Sequence, residues 1–402
     1  MKKSLILILF FCAPYIYISA QDTTNSPISM FGIGEPNEGD GGQFAGMGGV
    51  GIALRANNFL NNTNPAAITE LVPNYFFIDL GLTGAYQRYA QSGDNQNSTI
   101  GNLNNLSIGF KIAKNMYAAA FVAPLSSVGY AATKIQDIEG TTNSTTSSLF
   151  EGNGGISKKG VRLAYLLGKH LSLGTNLSYV SGTITETETQ GTGTSKVTSF
   201  KDALYADFGM QYDWKLAKDK MAVIGAVYGH FNDLRQDNTL YVSSTSNTSS
   251  TISEDLYRYR QCLPDFYGIG FSYNTMRMTL TADYKYYDWS RMQASKSYVK
   301  FRNQQMLKLG GSYLLGNIYR HPVRVMGGAG LSNSYVVVEG EKATNYYLSA
   351  GANFMFRNNN TLSFGFKYSG QMNATNGMAQ EYKIGVFFNL TFAEGVYRAK
   401  LK

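Results

Sequence analysis

The chain is short of charge. Only 15% of its 402 residues are Asp, Glu, Lys or Arg, against about 25% in ordinary soluble domains. There are three histidines, His170, His230 and His321, far apart in the chain and without metal-ligand spacing. Of the two cysteines, Cys12 falls in the apolar leader described below, so Cys262 has no intrachain partner and a disulfide framework is excluded. No G-x-S-x-G elbow occurs, and Asp and Ser are too diffuse to suggest a triad, so the chain reads as no enzyme and calls for no cofactor. The net charge is +8, but no Lys/Arg tract alternates with aromatics, which argues against nucleic acid as a partner. Beyond residue 20 no apolar run approaches the roughly 20 residues of a membrane helix.

What is present is export signal, glycine and aromatics. Lys2 and Lys3, the apolar run Leu5 to Phe11, and Ser19-Ala20 before Gln21 read as a secretory leader over 1–20. The 43 Gly, 29 Tyr and 23 Phe suit a large antiparallel sheet with aromatic girdles. The sheet is written in period 2. Tyr382, Ile384, Val386, Phe388, Leu390 and Phe392 share one face, and Lys383, Gly385, Phe387, Asn389 and Thr391 share the other, mostly polar one. Leu362, Phe364, Phe366 and Tyr368 repeat the pattern, as do Tyr346, Leu348, Ala350, Ala352, Phe354 and Phe356.

Alternation begins near Tyr75 and recurs about fourteen times. The turns at Lys114-Asn115, Lys169-His170, Lys218 to Lys220 and Asn358 to Asn360 are short; long polar connections are expected around Thr141, Thr192, Asn247 and Lys296. Ser126 to Ser157 and Thr183 to Thr198 read as two of these long loops. Short turns at one rim and long loops at the other predict an all-β fold: a transmembrane antiparallel β-barrel of about fourteen strands over 74–392, with a tail over 393–402.

Residues 21–73 do not fit that pattern. They are rich in Gly and Asn yet hold Phe31, Phe44, Met47, Phe59, Leu60 and Ile68. Irregular backbone at membrane depth survives only inside protein or a wet cavity, so this segment reads as an N-terminal hatch that plugs the barrel. Its Gly46-Met47-Gly48-Gly49-Val50-Gly51 matches G-x-G-x-x-G, but without a βαβ unit around it we read close-approach backbone, not a dinucleotide site.

The hatch sequence continuing through Ile52-Ala53 to Asn64-Pro65-Ala66, with Leu263-Pro264-Asp265, Asp283-Tyr284-Lys285, Asp288-Trp289-Ser290 and Leu309 to Tyr313, resembles the long-chain fatty-acid transporter family of outer-membrane barrels, FadL-like, which includes aromatic-hydrocarbon uptake proteins. The resemblance covers nearly the whole mature chain. It implies a hatched fourteen-stranded barrel in the outer membrane of a Gram-negative bacterium, surrounded by outer-membrane lipid and monomeric. It also implies passive uptake of a hydrophobic small molecule, a fatty acid or aromatic hydrocarbon, leaving sideways through the wall at a kink in the third strand. Ala123-Pro124 and the Asn64-Pro65-Ala66 turn are the expected gate, since proline breaks a ladder; the alternative is that Pro124 merely ends the strand before a long loop. Inward bases Arg162, Lys285, Lys308, Arg324, Lys367 and Lys383, with Arg55 in the hatch, are candidate partners of a carboxylate head, Arg55, Arg162, Lys308 and Lys367 foremost; the alternative for most of them is a structural lumen network with Asp79, Asp207 and Asp283. Related barrels serve type IX protein secretion as shuttles, so a protein-handling role is the alternative.

Overall fold

The computed structural model describes residues 24–396 except 38–41, 92–93, 138–144, 245–249, 257, 294–296, 318–320, 357–358 and 373–379. The leader expected at 1–20 and the last tail residues, 397–402, lie outside that set. Among the described residues one antiparallel sheet closes on itself in fourteen spanning strands. They are β1 Tyr75–Gln91, β2 Asp94–Lys111, β3 Met116–Asp137, β4 Thr145–Leu167, β5 Leu171–Gln190 and β6 Gly193–Ala217. β7 comprises Lys220–Phe231 and Leu234–Ser244; β8 comprises Ser250–Asp255, Tyr259–Gln261 and Phe266–Thr275; β9 is Met278–Tyr287. β10 comprises Val299–Phe301 and Gln304–Leu315, followed by β11 Val323–Val338, β12 Glu341–Met355, β13 Thr361–Met372 and β14 Gln380–Gly395. Closure comes from β14 on β1, paired from Gln380/Ala90 to Gly395/Tyr75. The closing strand therefore runs through Gly395, past the boundary expected at Phe392.

The faces decide the environment. Leu173, Leu177 and Tyr179 of β5 point out while Ser172, Asn176 and Ser178 are buried. On β8 and β9, Ile269 is 63% exposed and Asp283 only 2%. An apolar outside around a polar inside is stable in a bilayer and not in water. No described helix is long and apolar enough to cross a membrane.

The loop expected at Thr183 to Thr198 is strand around a tight turn, and so are the described residues, 126–137 and 145–157, of the one expected at Ser126 to Ser157. β4 and β6 have 23 and 25 residues, against the roughly 9–11 that cross a bilayer. The ladder continues unbroken from Leu167/Leu171 to Ser148/Gln190 and on to Gln190/Gly193, so Gly191-Thr192 is a two-residue turn rather than a long loop. The reason is that the outer ends of these strands are wet on both faces. Thr185, Thr187 and Thr189 keep the β-branched preference for strand, but no apolar face remains to write an alternation. The connections expected around Thr141, Asn247 and Lys296 fall on residues outside those described.

The described part of the N-terminal segment, referred to below as the hatch, packs on inward-facing residues of the strands and forms short 3-10 turns at Pro27–Met30, Gly42–Met47 and Pro65–Glu70. The last turn starts as its sequence dictates: Asn64 caps it by accepting from the Ala66 N–H at 3.0 Å, and Pro65 fills the position whose N–H would be unpaired. Inward-facing glycines make room for it. A Cβ on Gly174 would lie 2.5 Å from Ala66 N, one on Gly209 2.1 Å from Asn64 Oδ1, and one on Gly328 2.2 Å from Gly48 N. Asp283 anchors the middle of the hatch, its Oδ2 accepting the Gly51 and Ile52 N–H groups at 2.6 and 2.9 Å.

Candidate functional site

Among the described residues the wall is broken between β2 and β3. β1 and β2 are paired along their length, but β2 and β3 are paired only from Lys111/Tyr117 to Leu106/Val122. Beyond that point, among the described residues, no ladder joins the outer half of β2 to β3. The break begins next to Ala123 and the half-buried Pro124, where the β3–β4 register also slips between Pro124 and Ser126. Proline cannot donate to a ladder, so it belongs at such an edge.

A free strand edge must still satisfy its backbone, and the hatch does this from inside. Glu35 and Pro36 pair with Ser127 and Ser126, and the Asn37 N–H donates to Leu125 O at 2.8 Å. Ser29 Oγ donates to Gly129 O at 2.9 Å and accepts its N–H at 3.1 Å. Gly34 turns the segment at φ 93°, where a Cβ would lie 2.4 Å from Ser127 O, so only glycine fits. Tyr335 on β11 holds the turn by donating to Gly34 O at 2.6 Å.

Behind the gap lies a cavity of about 330 Å³, at the small end of ligand pockets. Ile100, Asn102 and Asn104 of the unpaired half of β2 line it, with Ser127 of β3 opposite and Ile28, Met306 and Phe387 as apolar walls. Its charged corner is Lys383, whose Nζ lies 2.5 Å from Glu35 Oε1 and 2.6 Å from Glu381 Oε1. Thr24 Oγ donates to Glu35 at 2.6 Å and Ser26 Oγ to Glu381 at 3.2 Å. Burial by itself would push the Glu35 carboxyl up, but the Lys383 ammonium holds it below the usual carboxylate range.

The expected site residues divide. Ala123 and Pro124 border the gap. Asn64, Pro65 and Ala66 do not: they sit against Gly174 and Gly209, and Asn64 Nδ2 donates to Ile52 O at 2.7 Å and Met210 O at 3.2 Å. Gly174 is in register with Ala164, and that with Tyr117. Tyr117 is seven strand positions short of Pro124, or roughly 23 Å along the strand. The turn seats the inner end of the hatch, and the structure does not bring it to Pro124.

Of the four bases, Lys308 and Lys367 line the cavity, with Lys367 Nζ 4.7 Å over the Tyr347 ring. Arg55 and Arg162 lie outside its lining. Arg55 ties the hatch to the inner rim through Asp213 at 2.9 Å and Ser172 at 3.1 Å, and bonds Thr69 within the hatch at 3.1 Å. Arg162 is 1% exposed and donates to Asn176 at 2.8 Å and the hatch residue Asn62 at 3.1 Å. Both belong to the network that holds hatch to wall. The expectations omitted Glu35 and Glu381 and counted Lys383 as one of several inward bases that could meet a carboxylate head; its partner is 348 residues away in sequence.

The fold is shared with solved barrels of known naming. The toluene transporter TbuX of Ralstonia pickettii matches with TM-score 0.60 at 13% identity, over 88% of this chain and 98% of its own. The CymD monoaromatic hydrocarbon channel matches with TM-score 0.56 at 14% identity, over 89% and 98%. A Pseudomonas aeruginosa FadL homologue matches with TM-score 0.55 at 13% identity, over 91% and 99%. No curated protein matches the sequence. A family model, BamG, matches residues 1–400, and the chain belongs to the BamG family.

Proposed function

We propose that the protein is a passive outer-membrane channel for hydrophobic or amphipathic small molecules, which leave the lumen sideways between β2 and β3. The carrying observation is the broken β2–β3 ladder, with hatch residues 29 and 35–37 on the β3 edge and a cavity behind it. The barrels it resembles in fold are named as toluene and hydrocarbon channels, which supports the same chemistry here. A shutter of hatch backbone on a strand edge opens without breaking the closed part of the wall.

The test locks the shutter. Since Asn37 N–H bonds Leu125 O, Pro36 and Ser126 form a non-hydrogen-bonded pair, with Cα atoms about 4.5 Å apart and within disulfide reach. Pro36→Cys with Ser126→Cys, in a Cys262→Ser background, is reconstituted in liposomes and passage of toluene and decanol into the bilayer is timed. Passage is expected to stop on oxidation and return on reduction. Equal rates in both states, with the cross-link confirmed by mass, would remove the side route.

One observation favours a second reading, a barrel that binds a protein partner: β3 to β6 continue as sheet beyond the apolar band and present polar faces outside the membrane. A locked channel that still supports its cellular role would point there.

A further inference from the structure

The two rims of the barrel treat their bases differently. At the outer rim arginines sit on carboxylates: Arg235 on Asp202 at 2.8 Å, Arg258 on Asp237 at 3.1 Å and Arg291 on Asp265 at 3.3 Å. At the inner rim Lys114, Lys169, Lys218 and Arg277 stand exposed in the turns after β2, β4, β6 and β8, and Lys220 opens β7. Among the described residues none of these inner bases is in an ion pair, and Asp219 is the one acid in those turns. Beside Arg277 the lipid-facing wall is hollow. A shallow groove of about 640 Å³ crosses β8 to β11, floored by Gly311 and Gly327 and walled by Phe271, Tyr273, Leu280 and Leu309. Leu280, Gly311 and Gly327 are in register across three strands. A Cβ on Gly327 would meet nothing within 4 Å, so packing within the wall does not require the hollow. Leu280 is three residues from Arg277, or roughly 10 Å along the strand. Between them Tyr313, in register with Met278 and 45% exposed, marks the headgroup level as interfacial tyrosines do.

We infer that this part of the outer wall binds an anionic glycerophospholipid of the inner leaflet, its phosphate on Arg277 and Lys220 and one acyl chain in the groove. Arg277 is set for the headgroup. Its Nη1 donates to Leu314 O at 3.4 Å and Gly316 O at 3.2 Å, which fixes the guanidinium at the end of the β9–β10 seam. Its Nη2 and Nε have no partner among the described residues. Lys220 is in register with Thr275, two residues before Arg277, and brings a second positive charge to the same edge. The occupant follows from charge and depth together. An acidic protein in the periplasm meets the bases but not a groove at membrane depth, and a neutral lipid meets the groove but leaves the bases uncompensated. An anionic phospholipid meets both. Each base near an anionic membrane surface is worth roughly fivefold in binding, so Arg277 and Lys220 together should favour the anionic lipid by roughly 25-fold. The groove at β10 is seven strands around the barrel from β3, so this site does not depend on passage through the gap. A lipid held there ties the inner rim to its leaflet.

The test puts a fluorescent reporter in the groove of the full chain. Leu309→Trp, in a Trp214→Phe background, leaves Trp289 as the other tryptophan, which is 2% exposed. The protein in detergent is titrated with phosphatidylglycerol or phosphatidylcholine brominated at the middle of the acyl chains, which quench a tryptophan they touch. Leu280→Trp, on the facing wall, serves as a second reporter, and Ile384→Trp on β14 reports on wall remote from the site. Phosphatidylglycerol is expected to quench the groove reporters at a concentration roughly 25-fold lower than phosphatidylcholine, with no such ratio at Ile384→Trp. Arg277→Gln should cut the ratio to about fivefold, Arg277→Lys should keep it, and Arg277→Gln with Lys220→Gln should abolish it. Gly327→Leu fills the groove and should raise the requirement for both lipids alike. Equal potency of the two lipids in the groove overturns the inference, as does a ratio that survives the double substitution or one that is the same at Ile384→Trp. Unchanged titrations in Gly327→Leu would remove the groove as the seat of the acyl chain and overturn the site as drawn.

Discussion

Asp283→Ala isolates what holds the centre of the hatch. One carboxylate oxygen accepts two adjacent backbone N–H groups, Gly51 at 2.6 Å and Ile52 at 2.9 Å, and the residue is 2% exposed. Hydrogen bonds to a charged group contribute about 1.5–3 kcal/mol each. Losing both should therefore weaken docking of this stretch by ~3–6 kcal/mol. Asp283→Asn keeps an acceptor oxygen and loses the charge, so its effect should be about half as large. Docking energy reads out as local opening, and about 1.4 kcal/mol is tenfold, so exchange at the Gly51 and Ile52 amides should rise by roughly 10² to 10⁴. The assay is amide exchange in lipid, with far-UV circular dichroism and heat-modifiable gel mobility confirming that the barrel is intact. Planar-bilayer conductance gives a second readout, since a loosened hatch passes ions. Native-like exchange at both amides in Asp283→Ala would refute the reasoning and show that close packing on the inward glycines suffices.

Three further outcomes are expected. Arg55→Ala, which leaves Asp213 paired only with His170 at 2.9 Å, should cost about 3–5 kcal/mol and show as faster proteolysis between residues 43 and 72. Gly209→Val puts a side chain where a Cβ already meets Asn64 Oδ1 at 2.1 Å and Pro65 Cδ at 2.7 Å; the Asn64–Ala66 turn should be expelled, raising single-channel conductance at unchanged β content. Ile269→Arg, in the lipid-facing row Tyr267, Ile269 and Phe271, should destabilise the barrel by about 2–4 kcal/mol in a denaturant titration in lipid, whereas Ile269→Leu should be near neutral.

The residues by themselves determined the barrel, because its signal is local. A strand between lipid and lumen must alternate, so each of Tyr382 to Phe392, Leu362 to Tyr368 and Leu171 to Tyr179 carried its own evidence, and only the direction of the greasy face remained to be seen. The irregular backbone of the N-terminal segment was legible for the same reason: its glycines and asparagines rule out regular strand within their own window. Pro124 was visible as a breaker. The outer extensions of β3 to β6 were not, since a strand wet on both faces writes no alternation. What only the tertiary structure decided is pairing across the chain. That β2 leaves β3 at Leu106, that hatch residues 35 and 36 take the vacated edge, that Arg55 is an anchor, and that Lys383 finds Glu35 all depend on which inward positions share a depth in the closed sheet. Depth is set by register, and register accumulates from strand to strand around the barrel until β14 meets β1. No single stretch of residues contains it.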